Sequence, residues 1–444
     1  MRITVPQIEI SREEGFTKND IFNRNIFGEK LANLFENSEE NMVVALDAQW
    51  GEGKSTFIKM WQGYIEQHRE KKFKTIYFDA FANDYQKDPF LALTAEMYDL
   101  LKDEGEEKKE EFRQKAGDTV KSMARGALKI GVRVATGGIL DGSIVDSVEQ
   151  DISNLVAEQV DDVISNRLKS SEEDKSALKQ FKEYLQEIAE EQGNGNPIIF
   201  IIDELDRCRP DFALELVEQI KHIFSVNGIT FLLVLNKKQL EASVKARYGS
   251  DIDASLYLQK FVSLWLSLPR SIQENADNGE KYLIYSLDSM LTEDEDFQNT
   301  ELKELLIEIV KYQKLSYREI ERILSYVAIL HNMSSEQGFM PIDQYAMAFM
   351  CYLKVVVPMV FEKILNKNIN DIDLIKESNF KLTAEMKSQY YGISFMIKAI
   401  KFDFATDDVR KQMIVDGEID QNMRRSNQGV FIRVANMLTI MENR

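Results

Sequence analysis

The sequence predicts an α/β fold in which a parallel sheet is flanked by helices, together with a helical insertion and a mainly helical C-terminal domain. Short apolar stretches alternate with helical patterns, and the strand patterns fade after Pro269. Two stretches, 197–203 and 229–236, are apolar almost throughout, as is typical of strands buried on both faces of a parallel sheet. Their alternation with helices indicates right-handed crossovers. The strands are expected at residues 42–47, 74–78, 197–203 and 229–236.

The length of the chain indicates more than one folded unit. Its 444 residues exceed the roughly 100–200 residues of an ordinary domain. We assign residues 1–101 and 197–270 to the N-terminal and C-terminal parts of one sheet-bearing core. Residues 102–196 begin with a charged run and become amphipathic, which predicts a helical insertion. Residues 271–444 are the predicted helical C-terminal domain.

Composition and charge exclude several classes of protein. Apolar residues make up 44% of the chain and charged residues 29%, so a sizeable core can form. The net charge of -19 disfavours nucleic acid as a partner, because binding a phosphate backbone needs positive potential. Two cysteines and three histidines support neither a disulfide framework nor a zinc site. This cysteine usage fits a reducing cytoplasm, where we expect the protein to be. No segment approaches the ~20 apolar residues of a membrane helix, so we expect no membrane span.

The segment 48–56 has the pattern of a phosphate-binding loop, with Ala48 in place of the usual first glycine. It follows an apolar strand and opens a helix, the context in which such a loop binds phosphate through its N–H groups and the helix dipole. Lys54 is predicted to reach the β and γ phosphates of ATP, and the Ser55 hydroxyl to coordinate Mg²⁺. The alternative is an ordinary glycine turn with a surface lysine. The predicted nucleotide-binding residues here are Gln49, Trp50, Gly51, Glu52, Gly53, Lys54, Ser55 and Thr56.

A carboxylate pair ends the third predicted strand. Asp203 and Glu204 should emerge near the phosphates, because ligands of open α/β sheets lie beyond the carboxyl ends of the strands. Asp203 is predicted to hold Mg²⁺, directly or through water. Glu204 is predicted to orient and polarise the attacking water. The alternative is a solvated acidic turn or helix cap.

Asn236 ends the fourth predicted strand, where its amide could sense the γ phosphate or help to position water. Ordinary turn chemistry is the alternative. The segment 236–239 begins like the guanine-recognition motif of GTPases, but Gln239 stands where that motif requires aspartate. The sequence therefore favours ATP over GTP.

Several segments resemble the KAP family of P-loop NTPases over about the first 330 residues. They are NDIFNRNIFGEKLANLF, QWGEGKST, the aromatic run YFDAFANDY, IIDELDRCRPDFALELVEQIKHIF, YLQKFVSLWLSLPRS and YREIERILSYV. The resemblance implies a P-loop NTPase on the STAND and AAA-like side of the class. Many KAP proteins carry membrane helices between the two nucleotide motifs. This sequence has none of membrane length there, which implies one of the family's soluble members, many of them bacterial and some linked to phage defence.

Three arginines are candidates for stabilising the transition state, whose charge is spread over the phosphate oxygens. Arg207 adjoins the acidic cluster. Arg318 and Arg322 lie four residues apart on a predicted helix and share a face, so they could close over the nucleotide. Pairing with Glu319 or Glu321, or exposure to solvent, is the alternative.

The leading functional hypothesis is an ATPase that acts as a conformational switch for a protein partner or a homo-oligomer, because no second catalytic constellation accompanies the nucleotide site. The alternative from another class is a nucleic-acid-acting ATPase or nuclease accessory, which would need a basic face. A scaffold that binds nucleotide without turnover is a third hypothesis, and Glu204 argues against it. The residues that could form the basic face are Lys121, Arg125, Lys129 and Arg133.

Overall fold

A five-stranded parallel sheet forms the centre of the N-terminal part of the computed structural model. The strands are ordered β2-β3-β4-β1-β5 across the sheet. Since all pairs are parallel, the carboxyl ends of the strands lie at one edge. The strands are β1 Val43–Asp47, β2 Lys74–Asp79, β3 Ile198–Asp203, β4 Ile229–Leu235 and β5 Leu264–Ser267.

The structure describes residues 1–444 apart from a set of gaps, and the side chains of 124–172 and 174 are also outside the description. The gaps are residues 7–9, 12, 39–40, 71, 87, 137–155, 195, 271–276, 293–294, 296, 298–299, 334–339, 384–385, 419–428 and 440–444.

Helices cover both faces of the sheet. Alternate residues of β3 belong to different cores. Ile199 and Ile201 pack beneath the first two helices. Ile198, Phe200 and Ile202 pack beneath the helices of the other face. This two-sided burial explains why the strands are almost uniformly apolar. The helices up to the sheet's last strand are α1 Asn25–Glu36, α2 Lys54–His68, α3 Ala80–Asn83, α4 Pro89–Tyr98, α5 Glu106–Thr136, α6 Val156–Gly193, α7 Pro210–Gln219, α8 Lys237–Tyr248 and α9 Ala254–Leu258.

The long helices α5 and α6 pack against each other in the region predicted as an insertion. Of the four basic residues proposed to form a nucleic-acid-binding face, only Lys121 has a described side chain, and its ammonium pairs with Asp118 at 3.1 Å. Arg125, Lys129 and Arg133 lie outside the described side chains.

The chain after the sheet is helical, and its helices share one apolar core that reaches from Leu283 to Leu438. The N-terminal segment packs on the same core through Val5 and Phe22. The helices are α10 Asn278–Met290, α11 Glu301–Gln313, α12 Tyr317–Met333, α13 Pro341–Val356, α14 Pro358–Leu365, α15 Asp371–Glu377, α16 Met386–Gln389, α17 Tyr391–Phe404, α18 Asp407–Val415 and α19 Val430–Thr439.

The predicted fold class is confirmed: a parallel sheet is flanked by helices, and a helical region follows it. Strand β5 was not among the predicted strands, because it is short and its residues are only partly buried. The division into four domains stays a prediction. Within the described part of the chain, no helix combines the length and apolar character that crossing a membrane requires.

Candidate functional site

A cavity of about 370 Å³ lies at the carboxyl edge of the sheet, where β1 and β3 end. This edge is where open α/β sheets bind their ligands. It brings together the predicted loop, the predicted carboxylates and two of the predicted arginines. The lining residues are Asn19, Ile21, Phe22, Arg24, Gly51, Gly53, Lys54, Ser55, Thr56, Met60, Asp203, Glu204, Asp206, Arg207, Tyr282, Tyr317, Arg318 and Glu321.

The loop between β1 and α2 curls through two glycines in the left-handed region. The φ angles of Gly51 and Gly53 are 80° and 74°, which other residues rarely adopt. The Lys54 ammonium donates to the carbonyl oxygens of Ala48 (2.8 Å) and Gln49 (3.2 Å), so it lies against the loop. Burial lowers the pKa of Lys54, and the nearby carboxylates of Asp203 and Asp206 oppose that shift. Burial thus disfavours the positive charge of Lys54, and the two carboxylates compensate for part of this cost.

Three side chains of the loop stabilise it rather than face the cavity. Glu52 is 5% exposed and forms an ion pair with Arg270, which also donates to Gln49 at 3.4 Å. The Trp50 indole donates to Asp206. These residues were predicted to bind nucleotide. The Glu52 N–H also donates to the Gln49 carbonyl oxygen at 3.4 Å. The backbone N–H groups of Gln49 and Trp50, rather than the three side chains, are therefore the candidate ligands.

Asp203 and Ser55 meet on the other side of the cavity. Asp203 is fully buried, and its carboxylate accepts hydrogen bonds from the Tyr77 hydroxyl (3.1 Å) and the Glu204 N–H (2.8 Å). The Ser55 hydroxyl lies close enough to this carboxylate to lower its pKa. Burial raises the pKa of Asp203, and these hydrogen bonds together with Lys54 oppose the shift. A buried carboxylate beside a hydroxyl is an oxygen donor pair that fits Mg²⁺.

Glu204 has an uncommon backbone conformation directly after β3. Its φ and ψ are 59° and 24°, a left-handed conformation that costs free energy in a residue other than glycine. Such conformations concentrate at functional sites. The turn directs Glu204 towards Arg207, and the two side chains form an ion pair at 2.7 Å. Burial raises the pKa of Glu204, whereas Arg207 lowers it.

Arg318 reaches the cavity from helix α12. The helix begins with a capping box, in which the Ser316 N–H donates to the Glu319 carboxylate at 2.7 Å and the Glu319 N–H donates to the Ser316 hydroxyl at 3.4 Å. This cap places Arg318 in the first turn, against Gly51 of the loop. Glu321 accepts a hydrogen bond from Tyr282. Both carboxylates suggested as partners of Arg318 are therefore engaged elsewhere.

The contact with Arg318 leaves no room for a side chain at Gly51. A Cβ atom there would lie 2.7 Å from the Arg318 Cβ, and the φ of 80° is itself unfavourable for alanine. We expect Gly51→Ala to lower the free energy of unfolding by about 2 kcal/mol, as measured by urea denaturation.

Gly117→Ala is the matched control for this prediction. Gly117 lies in α5 with nothing within 4 Å of its Cβ position, so alanine should stabilise the helix by roughly 0.5–1 kcal/mol. Equal effects of the two substitutions would contradict the packing of α12 on the loop.

A second cavity, of about 610 Å³, adjoins the first and shares Thr56, Tyr282, Arg318 and Glu321 with it. Its other walls are the N-terminal segment and the outer face of α12. Arg322 lines this cavity and not the first. Arg318 therefore lines both cavities, whereas Arg322 lines only the second. The remaining lining residues are Thr4, Val5, Pro6 and Ser325.

Asn236 does not line the cavity that Lys54 and the carboxylates share. Its side-chain oxygen accepts the Lys238 N–H at 3.1 Å and caps helix α8. It lines a separate groove together with Gln49, Trp50 and Arg270. The observed contact is the turn chemistry considered as the alternative at this position. A role for Asn236 towards the nucleotide stays a prediction, as do the roles of the other site residues.

The contacts of three residues of this site were not predicted from the sequence. Tyr77 belongs to the aromatic run YFDAFANDY, and its hydroxyl donates to Asp203. Asp206 holds Trp50, and Arg24 contacts the loop backbone. Alternation along the strands could have suggested the Tyr77 contact. Tyr77 pairs with Ile201, and Asp203 lies two residues after Ile201, so Tyr77 and Asp203 share one face of the sheet. Arg24 has no comparable local signal.

The sequence profile described as the KAP family P-loop domain matches residues 24–334. No curated protein matches the chain at a significant level. Similar solved structures include the Aeropyrum pernix ORC2 protein in ADPNP–ADP complexes, with 14% identity over 94% of each chain and a TM-score of 0.37. Another is Cdc6p from Pyrobaculum aerophilum, with 10% identity over 98% of this chain and 99% of that chain, and a TM-score of 0.37. Similarities this distant carry no argument about function.

The matched region contains the phosphate loop, strand β3 with its carboxylates and the helix that carries Arg318. It covers well over half of the chain. The chain therefore belongs to the KAP family of P-loop NTPases.

Proposed function

We propose that the protein binds ATP with Mg²⁺ at the phosphate loop and hydrolyses it, and that this cycle switches its conformation for a protein partner or a further copy of itself. The observation that carries the proposal is the arrangement of the first cavity. Lys54 and Arg318 supply positive charge beside the loop, and Asp203 and Glu204 supply carboxylates from the end of β3. This combination matches the needs of phosphoryl transfer, in which positioning and charge stabilisation dominate.

In this proposal the residues of the cavity have different roles in ATP hydrolysis. The N–H groups of the loop and the Lys54 ammonium hold the β and γ phosphates. The Glu204 carboxylate orients a water molecule and accepts its proton as the water attacks the γ phosphorus, while the bond to the bridging oxygen of ADP breaks. Ser55 and Asp203 would hold Mg²⁺, which would supply positive charge beside the phosphates. Arg207 and Arg318 stabilise the charge of the transition state.

The base and ribose of ATP fit the second cavity in this proposal. It adjoins the phosphate site through Thr56 and Arg318, and its polar wall includes Arg322. A nucleotide placed across both cavities would touch the sheet-bearing core and helix α12 together. Binding would therefore favour one arrangement of the C-terminal helices over others, which is what a nucleotide-driven switch requires.

Two measurements test the proposed function. Release of phosphate from ATP by the purified chain tests the hydrolysis, and addition of DNA or RNA tests the alternative of a nucleic-acid-acting ATPase. Co-purification with the Glu204→Gln variant in ATP tests the switch, because a partner of the ATP-bound state should be retained. Failure to bind ATP would contradict the whole proposal. Some soluble members of the KAP family are linked to phage defence, so we extend the proposal to that role, which plaque counts on cells with wild-type or Lys54→Ala protein would test.

The two arginines of the first cavity should affect turnover more than affinity. We expect Arg207→Ala and Arg318→Ala to lower kcat by on the order of 10³-fold, because a guanidinium stabilises charge that develops only in the transition state. Their Kd for ATP should change much less. Arg322→Ala is the contrast, since its side chain lines only the second cavity and should alter Kd more than kcat. Calorimetry and steady-state kinetics measure both quantities.

Mixing variants decides whether an arginine acts within its own chain. Arg207 and Arg318 line the same cavity as Glu204 of the same chain. We therefore expect no recovery of activity when a Glu204→Gln chain is mixed with an Arg207→Ala or Arg318→Ala chain. Recovery would show an arginine supplied by a neighbouring copy. Intact turnover in all three arginine variants would remove arginine stabilisation from the mechanism.

A further inference from the structure

Arg24 is a buried arginine whose guanidinium contacts the backbone of the phosphate loop. It is 2% exposed and precedes helix α1. One terminal nitrogen, Nη1, lies 3.0 Å from the Glu52 carbonyl oxygen and 3.5 Å from that of Gly53. The other, Nη2, lies 3.5 Å from the Pro269 carbonyl oxygen, just beyond β5. The guanidinium thus joins the loop to the segment that leaves the sheet.

These contacts bear on the direction of the loop's N–H groups. In a trans peptide unit the carbonyl and the following N–H point in opposite directions. Holding the Glu52 and Gly53 carbonyl groups towards Arg24 therefore turns the N–H groups of Gly53 and Lys54 away from it. A phosphate loop binds its anion through such N–H groups. The flexibility of Gly53, whose φ is 74°, makes an external constraint on this orientation useful.

The rings around Arg24 connect it to the C-terminal helices. Its guanidinium carbon lies 4.9 Å from the Phe22 ring centre and 5.9 Å from that of Tyr317. These two rings stack at 4.7 Å, and Tyr282 packs on Tyr317 at the same distance. Tyr317 immediately precedes Arg318 in helix α12. Arg24 consequently contacts both the loop that would hold the phosphates and the helix that carries Arg318.

Burial of this cation is costly, which argues against an incidental contact. A guanidinium removed from water needs compensation from partners. The partners within hydrogen-bond distance in the described part of the chain are carbonyl oxygens rather than a carboxylate. Burial lowers the pKa of Arg24, and the nearby charge of Glu52 opposes the shift.

We propose that Arg24 is a positioning residue for nucleotide binding: it holds the phosphate loop in the orientation that presents its N–H groups to the phosphates, and it fixes helix α12 against that loop. The proposal rests on the proposed ATP binding. Arg24 acts through the loop and takes no part in the chemistry itself.

The test is ATP affinity measured by calorimetry, with Mg²⁺ and the full chain. Arg24→Met removes the donors but keeps an unbranched apolar stem, and Arg24→Lys keeps the charge but cannot span the Glu52 and Pro269 carbonyl oxygens. The control is Arg69→Met. Arg69 holds the other end of α1 through Glu36 (2.8 Å) and Asn33 (3.1 Å), away from the phosphate loop.

We expect Arg24→Met to raise the Kd for ATP and for ADP by about tenfold or more, because hydrogen bonds from a charged donor are the stronger kind. Arg24→Lys should fall between this variant and the wild type. Both Met variants should lower the melting temperature, but Arg69→Met should bind ATP as the wild type does. This separates a positioning role from a general loss of stability.

Several outcomes would overturn the inference. Wild-type affinity in folded Arg24→Met is one, and an equal loss of affinity in Arg69→Met is another. If Arg24→Met does not fold, Arg24→Lys decides the question, and wild-type affinity in that variant overturns the inference. If the wild-type chain itself fails to bind ATP, the proposed function fails together with this inference. If the wild type binds ATP and the Arg24 variants do so equally, only this inference fails.

Discussion

Lys54→Ala is expected to weaken ATP binding by on the order of 100-fold, because it removes the cation that would contact the β and γ phosphates. The substitution should leave the fold intact. Lys54 is buried at the start of α2, and this burial lowers its pKa. In the part of the chain that the structure describes, the Lys54 ammonium donates to the Ala48 and Gln49 carbonyl groups of the loop. Calorimetry with ATP and Mg²⁺ measures the change in Kd.

Lys59→Ala provides the matched control. Lys59 is an exposed lysine on the same helix. Its substitution removes the same charge from the chain without altering the cavity. Its Kd should equal that of the wild type within experimental error. Unchanged affinity in a folded Lys54→Ala protein would remove the assignment of the phosphate loop.

Glu204→Gln is expected to retain ATP and Mg²⁺ while losing turnover by roughly 10²–10⁴-fold, the usual contribution of a general base. The amide has the size of the carboxylate but cannot accept the proton of the attacking water. Loss of the ion pair with Arg207 should matter little for stability, because both side chains are partly exposed. Single-turnover measurement of phosphate release separates the chemical step from binding.

Two further carboxylate variants sharpen this test. Asp211→Asn is the control, because the Asp211 side chain is 81% exposed and pairs with Arg247 away from the cavity. It should cleave ATP at the wild-type rate. Asp206→Asn examines the nearest competitor, which lines the cavity but is held by Trp50. Wild-type cleavage by Glu204→Gln would transfer the role of base to Asp206 or to another carboxylate.

The family and the fold class could be predicted from the sequence because their signals are local. The phosphate loop is a run of consecutive residues between a strand and a helix, and each of its roles depends on residue type at a fixed spacing. Strands β3 and β4 are apolar almost throughout because both faces of the sheet are covered. The position of Asp203 at the end of such a strand was enough to predict that it would lie near the loop, since parallel strands end at one edge.

Some features lacked a local signal. Strand β5 is short and half-buried, so its pattern resembles that of its helical surroundings. Phe81 and Tyr85 belong to the aromatic run after β2 and are 49% and 78% exposed. Aromatic residues are usually buried, but helix α3 and the turn that follows it direct these two outwards. Residue type predicts average burial, whereas the path of the backbone decides it at each position.

Only the tertiary structure decided which distant residues surround the loop. Arg318 lies against Gly51, Arg24 holds the loop carbonyl groups, and Arg270 pairs with Glu52. Periodicity and motif spacing describe neighbours along the chain, and they carry no information on which arginine of a later helix will meet a given turn. These contacts depend on how the C-terminal helices and the N-terminal segment pack around the sheet. The sequence by itself determined the chemistry of the loop and of the β3 carboxylates, and the packing of separate elements determined which cations face them.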